Sequence, residues 1–337
     1  MSRFLRFFFL LVLLAAAVHS AAAQTLTPLY TFRHHDVSSV VFSPDGKTLA
    51  TGGGDWATPD CVRLWDVRTG KLRHTLRDRR DDWNIAGIAF SPDGRTIAYA
   101  CDDKVRLWNV QAGRLFRVFS GDLVGGIEIS PHNRLLVSGS GMTEDEEYFP
   151  VQIWDLRTGA RRILPQSKGF DVSFSRDGQH LIGINSGEDT GALPFQRTWN
   201  AATGTIEQTH RLPRRTLARS LSPDDRLFAT GVSDAWPHEP VTVWDARTGR
   251  RLCVLHGPYH AVRDVAFSPH APCLVTAGGE DQNNLTGELM LWDRRTGKLL
   301  ASAPPSPSLV TSVEFSPDGH LLVSASENGT VRLWRVH

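Results

Sequence analysis

Phe42-Ser43-Pro44-Asp45-Gly46 is followed, 19 residues after its glycine, by the tryptophan of Val62-Arg63-Leu64-Trp65-Asp66. The first segment reads as an apolar strand running into a tight turn, in which Pro44 presets φ and Asp45 and Gly46 suit the later positions. Thr48-Leu49-Ala50-Thr51 restarts as a second strand, and Val62-Arg63-Leu64-Trp65 alternates in and out as a third. Asp66-Val67-Arg68-Thr69-Gly70 is then a second turn, with residues 71–76 as a fourth strand. The unit is four strands long and contains no helical periodicity.

Outward from this stretch the same unit returns. Tryptophans stand at Trp65, Trp108, Trp154, Trp199, Trp244, Trp292 and Trp334, separated by 43, 46, 45, 45, 48 and 42 residues. Each follows a turn related to Ser43-Pro44-Asp45-Gly46, from Ser91-Pro92-Asp93-Gly94 to Ser316-Pro317-Asp318-Gly319. A period of about 40–45 residues with one such tryptophan predicts one four-stranded blade per repeat. Seven repeats predict an all-β, single seven-bladed propeller over residues 24–337, overriding the two-domain expectation that 337 residues would otherwise raise.

The ends of the chain predict how the ring closes. After Trp334 only Arg335-Val336-His337 remain, so the last blade lacks an outer strand. Residues 27–33 align with the outer-strand segment 71–77, and pairing them with the last three strands would leave only short protected edges. Pro28 is tolerable there because an outer strand has one side free.

Residues 1–23 form a separate element. Arg3 and Arg6 precede an apolar run of 12 residues at 7–18, and Ala21-Ala22-Ala23 follows. That order predicts a secretory signal peptide cut after Ala23, and thus an exported, periplasmic or secreted protein with no stable membrane insertion after cleavage. Lys and Arg total 37 against 36 Asp and Glu, so no field points to nucleic acid. Four cysteines would then meet an oxidising compartment, and Cys61 with Cys101 fall in adjacent blades; a disulfide is permitted but not specified.

Phe-Ser-Pro-Asp-Gly followed by Val-Arg-Leu-Trp-Asp, recurring through degenerate copies, resembles the WD-repeat β-propeller family across nearly the whole mature chain. The family's Gly-His pair is missing from every blade, with histidines nearby only at His34/His35 and His256/His260. Asn109, Asn200 and Arg335 replace the aspartate of the Trp-Asp pair. The resemblance implies a His–Ser/Thr–Asp–Trp hydrogen-bond network that is incomplete in most blades. It also implies that the turn between second and third strands shares a face with the blade-to-blade loops.

That turn varies in length. From the fourth turn residue to the tryptophan, blades 2 and 7 use 14 and 15 residues, whereas the other five use 19 to 21. The insertions hold Trp56, then Glu144, Asp145, Glu146, Glu147, Tyr148 and Phe149, then Phe195, then Trp236, His238 and Glu239. Aromatics among acids on a rigid scaffold predict a recognition rim for a protein or peptide partner with a basic surface. No catalytic motif, phosphate-binding loop or metal-ligand spacing is present, so no enzyme activity, metal or cofactor is expected. The expected function is that of a monomeric, non-catalytic binding scaffold; the alternative is a propeller enzyme or glycan-binding protein with its site at the channel mouth.

Overall fold

The computed structural model describes residues 25–53, 61–78, 85–101, 103–121, 124–140, 149–185, 195–211, 218–231, 241–257, 261–280 and 286–337. The leader expected at 1–23 lies outside the described residues. Among them, 28 strands form seven four-stranded antiparallel sheets, each an inner, second, third and outer strand in order. Blade 1 runs Val37–Phe42, Thr48–Gly53, Cys61–Asp66 and Leu72–Leu76. The expected closure is present: Leu26–Arg33 pairs with Thr330–Val336, from Leu26↔Val336 to Arg33↔Thr330, as the outer strand of blade 7. Pro28 falls at a bulge in that ladder, where its missing N–H costs no regular bond.

Local chemistry explains the repeated turns. In blade 1, Ser43 Oγ donates to Asp45 Oδ1 at 2.7 Å and accepts from the Thr48 amide at 2.9 Å. The fourth residue then takes a left-handed φ of 67° at Gly46. Asn133 and Asp225 fill the same position at 56° and 57°, being among the few other residues that tolerate it. Ala271 does not adopt positive φ, and its amide instead donates to Ser268 Oγ at 3.1 Å. At the second turn, Asp66 Oδ1 accepts from both the amide and hydroxyl of Thr69 at 2.8 Å. Asn109 and Asn200 do the same service through Oδ1, accepting from the Ala112 and Thr203 amides at 2.8 and 3.0 Å. The aspartate of the Trp-Asp pair is therefore a turn cap that asparagine replaces without loss of the bond.

The tryptophans hold the inter-blade core. Trp154, Trp199 and Trp292 are fully buried, and each apolar cluster spans neighbouring blades, as where Trp65, Phe42 and Val40 of blade 1 meet Val323 and Leu333 of blade 7. In blades 1, 5, 6 and 7 the indole N–H donates to a hydroxyl one strand inward: Thr51 at 2.9 Å, Thr230 at 2.8 Å, Thr276 at 3.0 Å and Ser324 at 2.9 Å. Tyr99 takes the hydroxyl position in blade 2 and Gly183 in blade 4. Trp199 turns to the Pro165 carbonyl at 3.2 Å, while the Trp108 and Trp154 N–H groups have no partner among the described residues. Among the described residues, the indole-to-hydroxyl bond is thus missing in blades 2, 3 and 4, and a histidine joins it in blade 1. Cys253 and Cys273 carry free thiols, Cys101 is buried, and the Cys61 side chain lies outside the described residues.

Candidate interaction surfaces

Antiparallel order gives the ring two unlike faces. The link between second and third strands and the link to the next blade emerge at one end, the loop face; the two tight turns emerge at the other, the turn face. Of the expected rim residues, Trp56, Glu144, Asp145, Glu146, Glu147, Tyr148, Trp236, His238 and Glu239 lie outside the described residues. Phe149 and Phe195 are described: Phe195 opens the third strand of blade 4 at its loop-face end, and Phe149 lies three residues before the third strand of blade 3, Gln152–Asp155. Phe195 is half-buried, edge-on to Phe170 at 5.1 Å, with the Arg197 guanidinium 4.9 Å from its ring centroid. Part of its surface is therefore committed to packing.

The structure adds arginines that sequence reading passed over. Arg63, Arg106 and Arg197 occupy one position, two before the tryptophan, and each reaches the segment leaving the preceding blade's outer strand. Arg63 Nη1 donates to the Arg33 carbonyl at 3.0 Å, Arg106 Nε to Asp78 Oδ2 at 3.0 Å, and Arg197 Nη1 to the Gln166 carbonyl at 2.6 Å. They brace the loop face from beneath. The signal was available in Val-Arg-Leu-Trp, which recurs in blades 1, 2 and 7.

His34 is structural. Its Nδ1 lies 2.7 Å from Thr51 Oγ1, the hydroxyl that also accepts from Trp65, and burial with Arg63 nearby pushes its pKa down to about 3. It is neutral at physiological pH. Among the described residues, no group of three or more His, Cys, Asp or Glu side chains is placed to hold a metal.

Three carboxylates line the central channel from the inner strands. Glu314 Oε2 accepts from the Phe42 amide at 2.7 Å, Asp264 Oδ2 from Val313 at 2.8 Å, and Glu128 Oε2 from Phe174 at 3.0 Å. Each therefore staples one blade to the next. They are partly accessible from the channel yet deep in the molecule, and desolvation pushes their pKa values up to about 8, 6 and 7 respectively. Asp264 raises Glu314 further by its own charge.

On the turn face, side chains from outer strands seat on the second-turn glycine of the next blade. Tyr30, His74, Arg117, Arg162, His210 and Cys253 cover Gly70, Gly113, Gly159, Gly204, Gly249 and Gly297 in order. A methyl group on Gly113 would lie 2.7 Å from His74 Nδ1, so that contact has no slack. Arg117 Nη1 also donates to the Leu156 carbonyl at 2.5 Å, and Tyr30 Oη to that of Arg68 at 3.0 Å.

The family of the WD domain, G-beta repeat, matches residues 26–66, 70–109, 249–293 and 297–335, four repeat units that each run from one blade's outer strand through the first three strands of the next. The chain belongs to the WD-repeat propeller family. Among similar proteins, this WD-repeat propeller is 24% identical to Protein tipD of Dictyostelium discoideum over 304 residues, 77% of this chain and 48% of that protein. It is 29% identical to the serine-threonine kinase receptor-associated protein of the same organism over 251 residues, 71% of this chain and 76% of that one. Its fold matches the crystal structure of the Cps50 (Swd1) β-propeller domain of Myceliophteria thermophila with a TM-score of 0.74, 20% identity, and coverage of 91% and 99%. The chain spans about half the length of the first of these relatives.

Proposed function

We propose that this WD-repeat propeller is an exported, non-catalytic scaffold that binds a protein or peptide partner on its loop face and acts as a monomer. Propellers of this family are in general protein-interaction scaffolds, and one similar protein is named for its association with a serine-threonine kinase receptor. The observation that carries the reading is the lengthening of five of seven loops on one face, above a ring braced by Arg63, Arg106 and Arg197. A rigid base under variable loops is how binding surfaces are commonly built. The channel carboxylates are already bonded to backbone amides, which favours the scaffold over the enzyme alternative.

The test has two arms. Alanine at Trp56, Tyr148 and Trp236 is expected to weaken partner binding by about 2 kcal/mol or more at a hot spot while the melting temperature holds. Neutralising Glu144, Asp145, Glu146 and Glu147 is expected to slow association with a basic partner at low salt and to change little at high salt. Binding indifferent to both sets would overturn the rim. Export is tested by mass spectrometry of the native protein, with Gln24 expected at or within two residues of its N-terminus; a retained Met1 in the membrane fraction refutes it.

A further inference from the structure

The cleft between blades 3 and 4 on the turn face has a volume of about 570 Å³, within the range of ordinary ligand sites. In the other six blades the ladder between third and outer strands bulges at the tryptophan, as between Leu64 and Trp65. Blade 3 pairs straight through, Ile153↔Arg162 and Trp154↔Arg161, and its outer strand is only three residues long. In blades 1 and 4 the bulged residue covers the turn cap: Arg73 bonds the Asp66 carboxylate, and Glu207 accepts from Asn200 Nδ2 at 3.1 Å. Blade 3 has no such residue, and its Asp155 meets Arg134 at 3.6 Å instead.

The chemistry of that wall is uneven. Leu135, Ile153, Ala160 and Ala201 make it largely aliphatic, and Arg134, Arg161 and Arg162 line the same space. Arg162 donates from its two Nη atoms to the Ala202 and Ala201 carbonyls at 2.5 and 2.6 Å. Its Nε is enclosed without a hydrogen-bond partner, and no carboxylate lies within ion-pair distance of it among the described residues. The half-buried Arg162 guanidinium thus brings a positive charge to the cleft with no counter-charge beside it. On the facing wall Asn200 stands where blades 1, 3, 5 and 6 have an acid, so the cleft also lacks that negative charge.

We propose that this cleft takes an acidic side chain in an extended segment of a protein partner, its carboxylate on the arginines and its aliphatic neighbours against Leu135 and Ile153. A guanidinium matches a planar carboxylate. Free phosphate fits less well, because phosphate sites gather unspent backbone amides. Here those of Gly159, Gly178 and Gly204 are already bonded within their own turns at 2.8 Å. The proposal rests on the scaffold reading but uses the opposite face.

A phage library of random heptapeptides panned on the purified full chain tests it, with enriched peptides remade and titrated by fluorescence anisotropy. The expected peptides carry Asp or Glu flanked by Val, Leu or Ile. Their affinity is expected to fall at least tenfold on Arg162→Gln, on Ala160→Trp, which fills the cleft without touching the Arg162 clamp, and on exchange of the peptide's acid for its amide. Arg162→Lys should retain part of the binding, and Trp56→Ala should leave it unchanged. Failure to enrich acidic peptides, undiminished binding to Ala160→Trp, or loss only with Trp56→Ala would overturn the cleft. The last outcome would leave the loop-face reading standing.

Discussion

Thr51 serves two partners at once, accepting the Trp65 N–H and meeting His34 Nδ1. Thr51→Val should therefore leave two buried polar groups unsatisfied and cost about 1–3 kcal/mol, whereas Thr276→Val strands the indole of Trp292 and should cost less. Denaturant midpoints of the two variants check the order. Glu314 supports a pH test. Its folded pKa of about 8 stands above the ordinary carboxylate value of 4.5, so the folded state holds a proton that the unfolded state releases. Its contribution is fully present below pH 4.5 and is lost as pH rises towards 8. His34, lowered to about 3, works oppositely: its contribution is present above 6.5 and is lost as pH falls towards 3. The melting-temperature difference between wild type and Glu314→Gln isolates the first effect, and should move in favour of the variant across pH 4.5–8. A flat difference would show that channel water screens the group.

Strand identity was legible because each strand carries its own punctuation. Ser-Pro-Asp-Gly demands a turn wherever it stands, and even Asn133 and Asp225 kept the left-handed position that glycine would have held. What could not be read was contact between blades. Arg63 reaching the Arg33 carbonyl, or Arg162 seated over Gly204, depends on how two sheets stack rather than on any local spacing. The straight ladder of blade 3 was equally hidden, since one residue fewer between Trp154 and its outer strand has meaning only once the other six ladders are seen to bulge. The N-terminal strand was foreseen, and it allows a sharp test. Removing residues 24–33 should uncover the edge of Thr330–Val336 and the apolar face around Val331 and Leu333. Size-exclusion chromatography should then show aggregation or thermal scans a large stability loss. A monomer with unchanged melting temperature would refute the closure.

Across the whole ring, apolar burial is shared between neighbours, so no blade has a core of its own. Replacing a junction tryptophan such as Trp154 by alanine should cost roughly 3–5 kcal/mol, read from denaturant unfolding. The sequence offered the rim aromatics only as a pattern of loop length and composition, and Phe195 shows why such a pattern is insufficient: it is also a packing residue against Phe170 and Arg197. Closure also sets an order of events during synthesis. Leu26 is among the first residues of the ring to be made, and its partner Val336 stands in the ring's last strand. Six blades can complete themselves from sequential strands as they emerge, but the seventh waits for both ends to meet across a contact of extreme sequence separation. Such contacts form late because loop-closure entropy must be spent before they return anything. Until then Leu26–Arg33 is a loose strand and Thr330–Val336 an open edge, so the most vulnerable moment of this ring falls once its last strand has been made.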